Sequence, residues 1–269
     1  MARFTSIAPD TLIRLIGTPQ APEIIDVSID DDFHADPFLV PTARRVAHND
    51  VGNLVPDLRG RRAVVICQKG LKLSHGAAAL LRCEGVTAEV LEGGNIGWRA
   101  AGLPRLPAAR IPPPGRGTLW VTRHRPKIDR IACPWLIRRF VDPNARFLFV
   151  PTSEVFAVAE KFGATAFDVP GADWTHDGEL CSFDALLRGF GLTLPALDIM
   201  ARVIRGADTD RHDLAPECAG LLALSVGLSR AFSDDLAQLD AGLLLYDALY
   251  RGARDGQGEG HDWPAGAGT

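Results

Sequence analysis

The segment from Pro104 to Gly117 limits what this chain can fold into more than any other. Pro104, Pro107, Pro112, Pro113, Pro114, Gly115 and Gly117 crowd into one short stretch. Proline fixes φ and removes an amide donor, so the stretch suits neither a helix interior nor a central strand. It reads as an extended, semi-rigid linker. A chain of 269 residues also exceeds what a single hydrophobic core usually serves. The expected layout is a domain at 1–103, a linker at 104–117 and a second domain at 118–251. A tail follows at 252–269, rich in glycine and charge and expected to be disordered.

The formal charge of −4 argues against nucleic-acid binding through bulk positive charge, although a local patch can still bind. One such patch exists: Arg123, Arg125, Lys127, Arg130, Arg138 and Arg139 face a single anion, Asp129, in that stretch. The cysteines at 67, 83, 133, 181 and 218 form no CxxC pair and are odd in number, which disfavours a disulfide framework or a zinc ribbon. Polar or small residues interrupt every apolar run well short of membrane-spanning length. No apolar stretch with a small-residue cleavage site marks the amino terminus. The expectation is a cytoplasmic protein with no membrane partner.

Periodicity separates the two halves. Glu23 to Val27, Ala63 to Cys67 and Ala88 to Leu91 read as strands, with helical spacing at Pro9 to Ile16 and Ser74 to Cys83. That is an α/β layout. Beyond the prolines, Leu119 to Thr122 and Phe147 to Val150 read as strands, and Asp129 to Phe140 and Ser153 to Phe162 as helices. Helical spacing then dominates at Asp184 to Phe190, Leu194 to Arg205, Pro216 to Leu228 and Asp234 to Arg251. The second half is therefore expected to be mixed α+β and helix-rich.

In the first half, the strand ending at Ile66 delivers Cys67 into the loop Gln68-Lys69-Gly70-Leu71-Lys72-Leu73, and Ser74 is the expected cap of the next helix. Amides of a loop closing onto a helix start stabilise an anion and favour a thiolate, and Lys69 and Lys72 add positive charge. Such a thiolate can attack sulfur and carry a persulfide, or sit beside an oxyanion. Ile24-Ile25-Asp26-Val27, Val65-Ile66-Cys67-Gln68-Lys69-Gly70 and Leu91-Glu92-Gly93-Gly94 with Trp98, in that order, resemble a rhodanese domain. The resemblance implies a sulfurtransferase fold with Cys67 as persulfide carrier, supported by Lys69, Gly70 and Lys72. Ser28 stands where the family often has arginine, and the loop has Lys72 in place of an arginine. Cys83 lies on the apolar period of its helix and is expected in the core.

In the second half, Trp120-Val121-Thr122-Arg123 leads to Pro126-Lys127-Ile128-Asp129-Arg130-Ile131-Ala132-Cys133-Pro134-Trp135-Leu136-Ile137-Arg138-Arg139-Phe140. This string resembles the carboxy-terminal domain of the chromate-resistance protein B family. Phe167-Asp168, Thr175-His176, Cys181-Ser182-Phe183-Asp184, Ala207-Asp208 and Tyr246 to Tyr250 extend the likeness. Asp129 is placed at a helix start, and Pro134 should kink that helix. Arg123, Arg130 and Cys133 are candidate oxyanion-binding residues, because guanidinium groups match tetrahedral oxyanions with paired hydrogen bonds. The competing reading is a basic face with Arg123 and Arg130 paired to acids. His176, Glu179, Cys181 and Asp208 are candidate metal ligands of a type that suits zinc, iron or manganese. The spacing matches no diagnostic template, and packing of Cys181 with helix capping by Asp184 is the alternative.

These features imply a chromate-resistance protein with a rhodanese-like sulfurtransferase domain and a second domain that binds an oxyanion or a metal. Its small-molecule partner would be a sulfur donor or a chromate-like oxyanion. Two other classes stay open: a chromate-responsive transcriptional regulator, which the absence of a recognisable helix-turn-helix disfavours, and a non-catalytic metal or oxyanion binder.

Overall fold

A computed structural model describes residues 5–113 and 117–260 of the chain. The first half contains β1 (Ser6–Ile7), α1 (Pro9–Leu15), β2 (Glu23–Asp26), α2 (Asp30–Ala35), β3 (Phe38–Leu39) and β4 (Arg44–Arg45). After a 3-10 segment at His48–Leu54 come α3 (Val55–Leu58), β5 (Arg62–Ile66), α4 (Lys72–Cys83), β6 (Thr87–Leu91), α5 (Gly94–Ala100) and β7 (Leu106–Pro107). Five of these strands form one sheet in the order β1-β6-β5-β2-β4, and every pairing in it is parallel.

Alternation along the central strands explains why this sheet is buried on both faces. Ile24, Val64 and Ile66 enter one hydrophobic cluster, while Ile25, Ala63 and Val65 enter another, because successive side chains leave a strand on opposite faces. The second cluster is closed by α4 through Ala77, Ala78 and Leu81. The first cluster continues without a break into the second half through Trp120, Trp135 and Phe140.

The proline-bearing segment takes part in the structure. Leu106–Pro107 pairs antiparallel with Phe38–Leu39, and the Trp98 indole donates to the Pro104 carbonyl at 2.8 Å. Contacts then join the halves directly. The Gly17 amide donates to the Arg139 carbonyl at 3.3 Å and the Thr42 amide to the Phe140 carbonyl at 3.0 Å. Gly17 has φ +82, and a Cβ there would lie 2.4 Å from Phe140, so backbone and ring meet only because this residue is glycine.

The second half contains β8 (Leu119–Arg123), α6 (Asp129–Leu136), β9 (Arg146–Val150), α7 (Val155–Phe162), β10 (Thr165–Ala166), α8 (Ser182–Phe190), α9 (Pro195–Asp208), α10 (Cys218–Ala231) and α11 (Asp235–Asp255). A small parallel sheet, β10-β8-β9, stands at one side, and helices make up the rest. No helix among the described residues is long and apolar enough to cross a membrane.

Several expected boundaries shift, each for a local reason. Helix α4 begins at Lys72 rather than at Ser74, with Leu71 in the cap position. Ser74 is one turn in, and its hydroxyl donates to the Leu71 carbonyl at 3.1 Å. The stretch from Asp129 to Phe140 divides into α6, which contains Pro134, and a π-type turn at Ile137–Val141, where the Asp142 amide reaches back five residues to the Ile137 carbonyl at 2.8 Å. Helix α11 runs on to Asp255, past the start of the 252–269 tail. The last part of that tail, 261–269, lies outside the described residues. Cys83, expected in the core, is exposed.

Candidate functional site

Two regions gather chemically capable side chains. In the first half, the rhodanese-like motifs meet at the end of β5. Asn95, which follows the Gly93-Gly94 pair, donates through Nδ2 to Asp26 Oδ2 at 2.9 Å and to Ser28 Oγ at 3.2 Å. Its amide donates to the Cys67 carbonyl at 3.1 Å. Gly94 has φ +58, and a Cβ on it would fall 2.0 Å from the Cys67 carbonyl oxygen, while one on Gly70 would fall 2.6 Å from that of Leu91. Glycine at both positions lets the two turns lie backbone against backbone.

Cys67 itself is 5% exposed, with Sγ 3.2 Å from Ser74 Oγ. It lines a cleft of about 630 Å³ with Ile29, Asp32, Gln68, Lys69 and Lys72. Lys69 and Lys72 are exposed. Among the described residues the amides of Gln68, Lys69, Leu71, Lys72 and Leu73 donate to no protein acceptor, whereas Gly70 donates to the Cys67 carbonyl at 3.4 Å. The sulfur thus stands at the edge of a core, in a cleft that two lysines and the Asp32 carboxylate also line.

In the second half a polar group forms where β8, α6, α8 and α9 meet. Ile128 holds φ +41, unusual for a β-branched residue. The Tyr246 hydroxyl donates to its carbonyl at 3.0 Å, and this fixes the entry to α6. Asp129, the first residue of α6, is 1% exposed. Its carboxylate accepts the Ser182 amide at 2.6 Å and the Phe183 amide at 3.4 Å, so it serves the open N-terminus of α8 rather than that of its own helix. Asp208, the last residue of α9, and His176, on the loop before α8, complete a convergent set. Nε2 of His176 lies 3.5 Å from Asp129 Oδ2, 3.2 Å from Asp208 Oδ2 and 3.5 Å from Asp168 Oδ1.

The electrostatics follow from this crowding. Burial, reinforced by Asp208 and Asp168, pushes the Asp129 carboxyl well above the usual carboxylate range. Burial and then Asp168 raise Asp208. Burial opposes the charge of Asp168 too, yet hydrogen bonds from His176, Ser182 and Arg123 outweigh it and hold this carboxyl low. The bond to Asp168 raises His176 to about 9.

The residues singled out from sequence are only partly brought together. Arg123 and Arg130 both turn to Asp168 Oδ2, at 3.1 and 3.4 Å, which is the paired-to-acid arrangement. Cys133 is fully buried, and burial together with the charge of Asp129 raises its thiol strongly. His176 and Asp208 share a donor set with Asp129, every donor atom within 4.8 Å of the others. Glu179 is exposed and stands outside that set. Cys181 is buried, with Sγ donating to Asp184 Oδ2 at 3.3 Å, while the Asp184 carboxylate caps α8 by accepting the Cys181 amide at 3.0 Å. Asp168 and Ser182, joined at 2.8 Å, have no role assignable from sequence spacing. The usable signal is a charged residue directly after Phe167, the apolar residue that follows β10.

Comparison with known proteins bears on the second half, and solved structures share a weaker likeness with the first. Residues 120–253 match the family model of the ChrB C-terminal domain. Protein ChrB of Cupriavidus metallidurans is 36% identical over 152 residues, which are 56% of this chain and 44% of that protein. The chain therefore spans less than half the length of this relative. Among solved structures, a rhodanese-related protein of Thermoplasma volcanium is 21% identical and covers 38% of this chain and 98% of its own, with TM-score 0.33. A thiosulfate sulfurtransferase of Pseudomonas aeruginosa is 28% identical and covers 38% of this chain and 19% of its own, with TM-score 0.34. An As-Sb reductase of Leishmania major is 19% identical and covers 37% of this chain and 79% of its own, with TM-score 0.32. The second half of the chain thus matches the ChrB C-terminal domain, and it follows an α/β half with Cys67 at the end of β5.

Proposed function

We propose that this chain is a chromate-resistance protein whose first domain carries sulfane sulfur on Cys67. The observation that supports this reading is that Cys67 lines a cleft with Lys69 and Lys72, in a loop whose amides, Gly70 apart, donate to no protein group among the described residues. A buried structural cysteine needs neither a cleft nor free donors beside it.

The chemistry is a displacement at sulfur. The Cys67 thiolate attacks the outer sulfur of thiosulfate, a new S–S bond forms, the donor's S–S bond breaks, and sulfite leaves with its electron pair. The persulfide then passes its outer sulfur to an acceptor thiolate, and Cys67 is regenerated as thiolate. Free amides and the two lysines stabilise the anionic donor and the persulfide anion. Ser74 Oγ lies 3.2 Å from Sγ, and its hydroxyl donates to the thiolate once it turns from the Leu71 carbonyl.

Purified chain incubated with thiosulfate is expected to gain the mass of one sulfur atom on the Cys67 peptide and to release sulfite. Cys67→Ser should show neither, and Lys69→Ala or Lys72→Ala should slow loading by up to about fivefold, the size of one screened charge contact. Wild-type protein that takes up no sulfur from thiosulfate, polysulfide or a mercaptopyruvate-type donor would overturn the reading.

A further inference from the structure

The geometry points to a divalent-cation site in the second domain, formed by Asp129, His176 and Asp208 and suited to a first-row ion of the manganese-to-zinc class. It goes beyond the sulfur chemistry of Cys67 and does not depend on it, since it shares no residue with that cleft.

Spacing is the first support. An ion bonded at about 2.0–2.2 Å to an imidazole nitrogen and carboxylate oxygens holds neighbouring donors about 3.0 Å apart in an octahedron and about 3.4 Å apart in a tetrahedron. Nε2 of His176 stands 3.2 Å from the Asp208 oxygen and 3.5 Å from the Asp129 oxygen. These are edge lengths of a coordination polyhedron. They lie at or beyond the upper end of hydrogen-bond lengths, and one imidazole N–H can point at only one of the three carboxylates around it.

Charge balance is the second and independent support. Both arginines of the region, Arg123 and Arg130, turn to Asp168. Among the described residues no lysine or arginine forms an ion pair with Asp129 or Asp208, and His176 is their sole salt-bridge partner. Asp129 is nevertheless almost wholly buried, and even a protonated His176 offsets only one of the two carboxylates that face it, a condition that is costly away from solvent. A divalent ion supplies that charge.

The frame is also rigid. Asp129 opens α6 and Asp208 closes α9, and both helices pack against the same core. His176 keeps 39% of its side chain exposed, which leaves coordination positions on the solvent side for water or an exchangeable ligand. Asp168, whose Oδ1 is 3.5 Å from Nε2 and accepts the Ser182 hydroxyl, borders the donor set while its other oxygen is held by Arg123 and Arg130. Two carboxylates and one imidazole suit manganese, iron or zinc better than copper, which favours softer or nitrogen-rich sets.

The test uses the untagged full chain carrying Cys67→Ser, so that no thiol in the other cleft competes for zinc. After treatment with chelator, Mn²⁺ and Zn²⁺ are titrated in separate experiments, and retained metal is measured by elemental analysis. One ion per chain is expected, with a rise in melting temperature. His176→Ala and Asp208→Asn should each weaken binding at least tenfold and abolish that rise. Both side chains are partly exposed, so these variants keep the fold, which the metal-free melt verifies. A parent protein that retains neither ion, or variants that retain it as the parent does, would overturn the site. Failure of sulfur loading at Cys67 in the wild type would leave this result unaffected.

Discussion

The carboxylate of Asp129, at the start of α6, accepts the amide of Ser182, at the start of α8, at 2.6 Å. One acid thereby ties together two helix entries that are far apart in sequence, and it faces His176 from the same position.

Asp129→Ala removes the acceptor for the α8 N-terminus and leaves a buried amide unsatisfied. The expected loss of stability is about 1–3 kcal/mol. Asp129→Asn should recover part of it, because the amide oxygen still accepts, while losing the charge needed for a cation. Urea denaturation of both metal-free variants decides this; an alanine variant as stable as wild type would show that the bond contributes nothing.

Gly94→Ala forces a Cβ to within 2.0 Å of the Cys67 carbonyl oxygen at a left-handed backbone position. The neighbour is backbone and cannot swing away, so a loss of at least about 2 kcal/mol is expected, together with loss of sulfur loading at Cys67. Gly76→Ala is the control. A Cβ there meets nothing within 4 Å, and within α4 alanine should stabilise by about 0.5–1 kcal/mol. Thermal melts of the pair, read with the mass of the Cys67 peptide, test both statements.

His176 titrates at about 9 instead of 6.5 through its bond to Asp168. A raised folded-state value means that the protonated imidazole stabilises the fold. The contribution is fully present below 6.5 and is lost as pH rises through about 9. In chelator-treated protein, His176→Gln should melt a few degrees below wild type near pH 6 and converge with it near pH 10. The gap is small because the ring is partly exposed and solvent screens the pair. Identical melts near pH 6 would contradict the assignment.

Much of the first half could be read in order along the chain, because its motifs rest on local structure. A strand, a cysteine, a glycine turn and a helix start are consecutive, and each carries its own signal. Ser74 was misleading as a cap for the same local reason: its side chain bonds backward to Leu71 and touches Cys67, a choice made by the loop's closure. The very short strands β1, β4 and β7 carry too few residues for alternation to register; they exist because neighbouring strands offer them partners.

Sequence alone determined the two motif-bearing halves, the position of Cys67 and the helical character of the second half, since periodicity and turn chemistry act over a few residues. Tertiary structure alone decided which charges meet. It sent Arg123 and Arg130 to Asp168, left Glu179 in solvent, buried Cys181 as a cap partner, and brought Asp129 beside His176 and Asp208. Ion pairing and coordination depend on separations of a few ångströms between residues distant in sequence, and only the packing of α6, α8 and α9 on a shared core sets those separations.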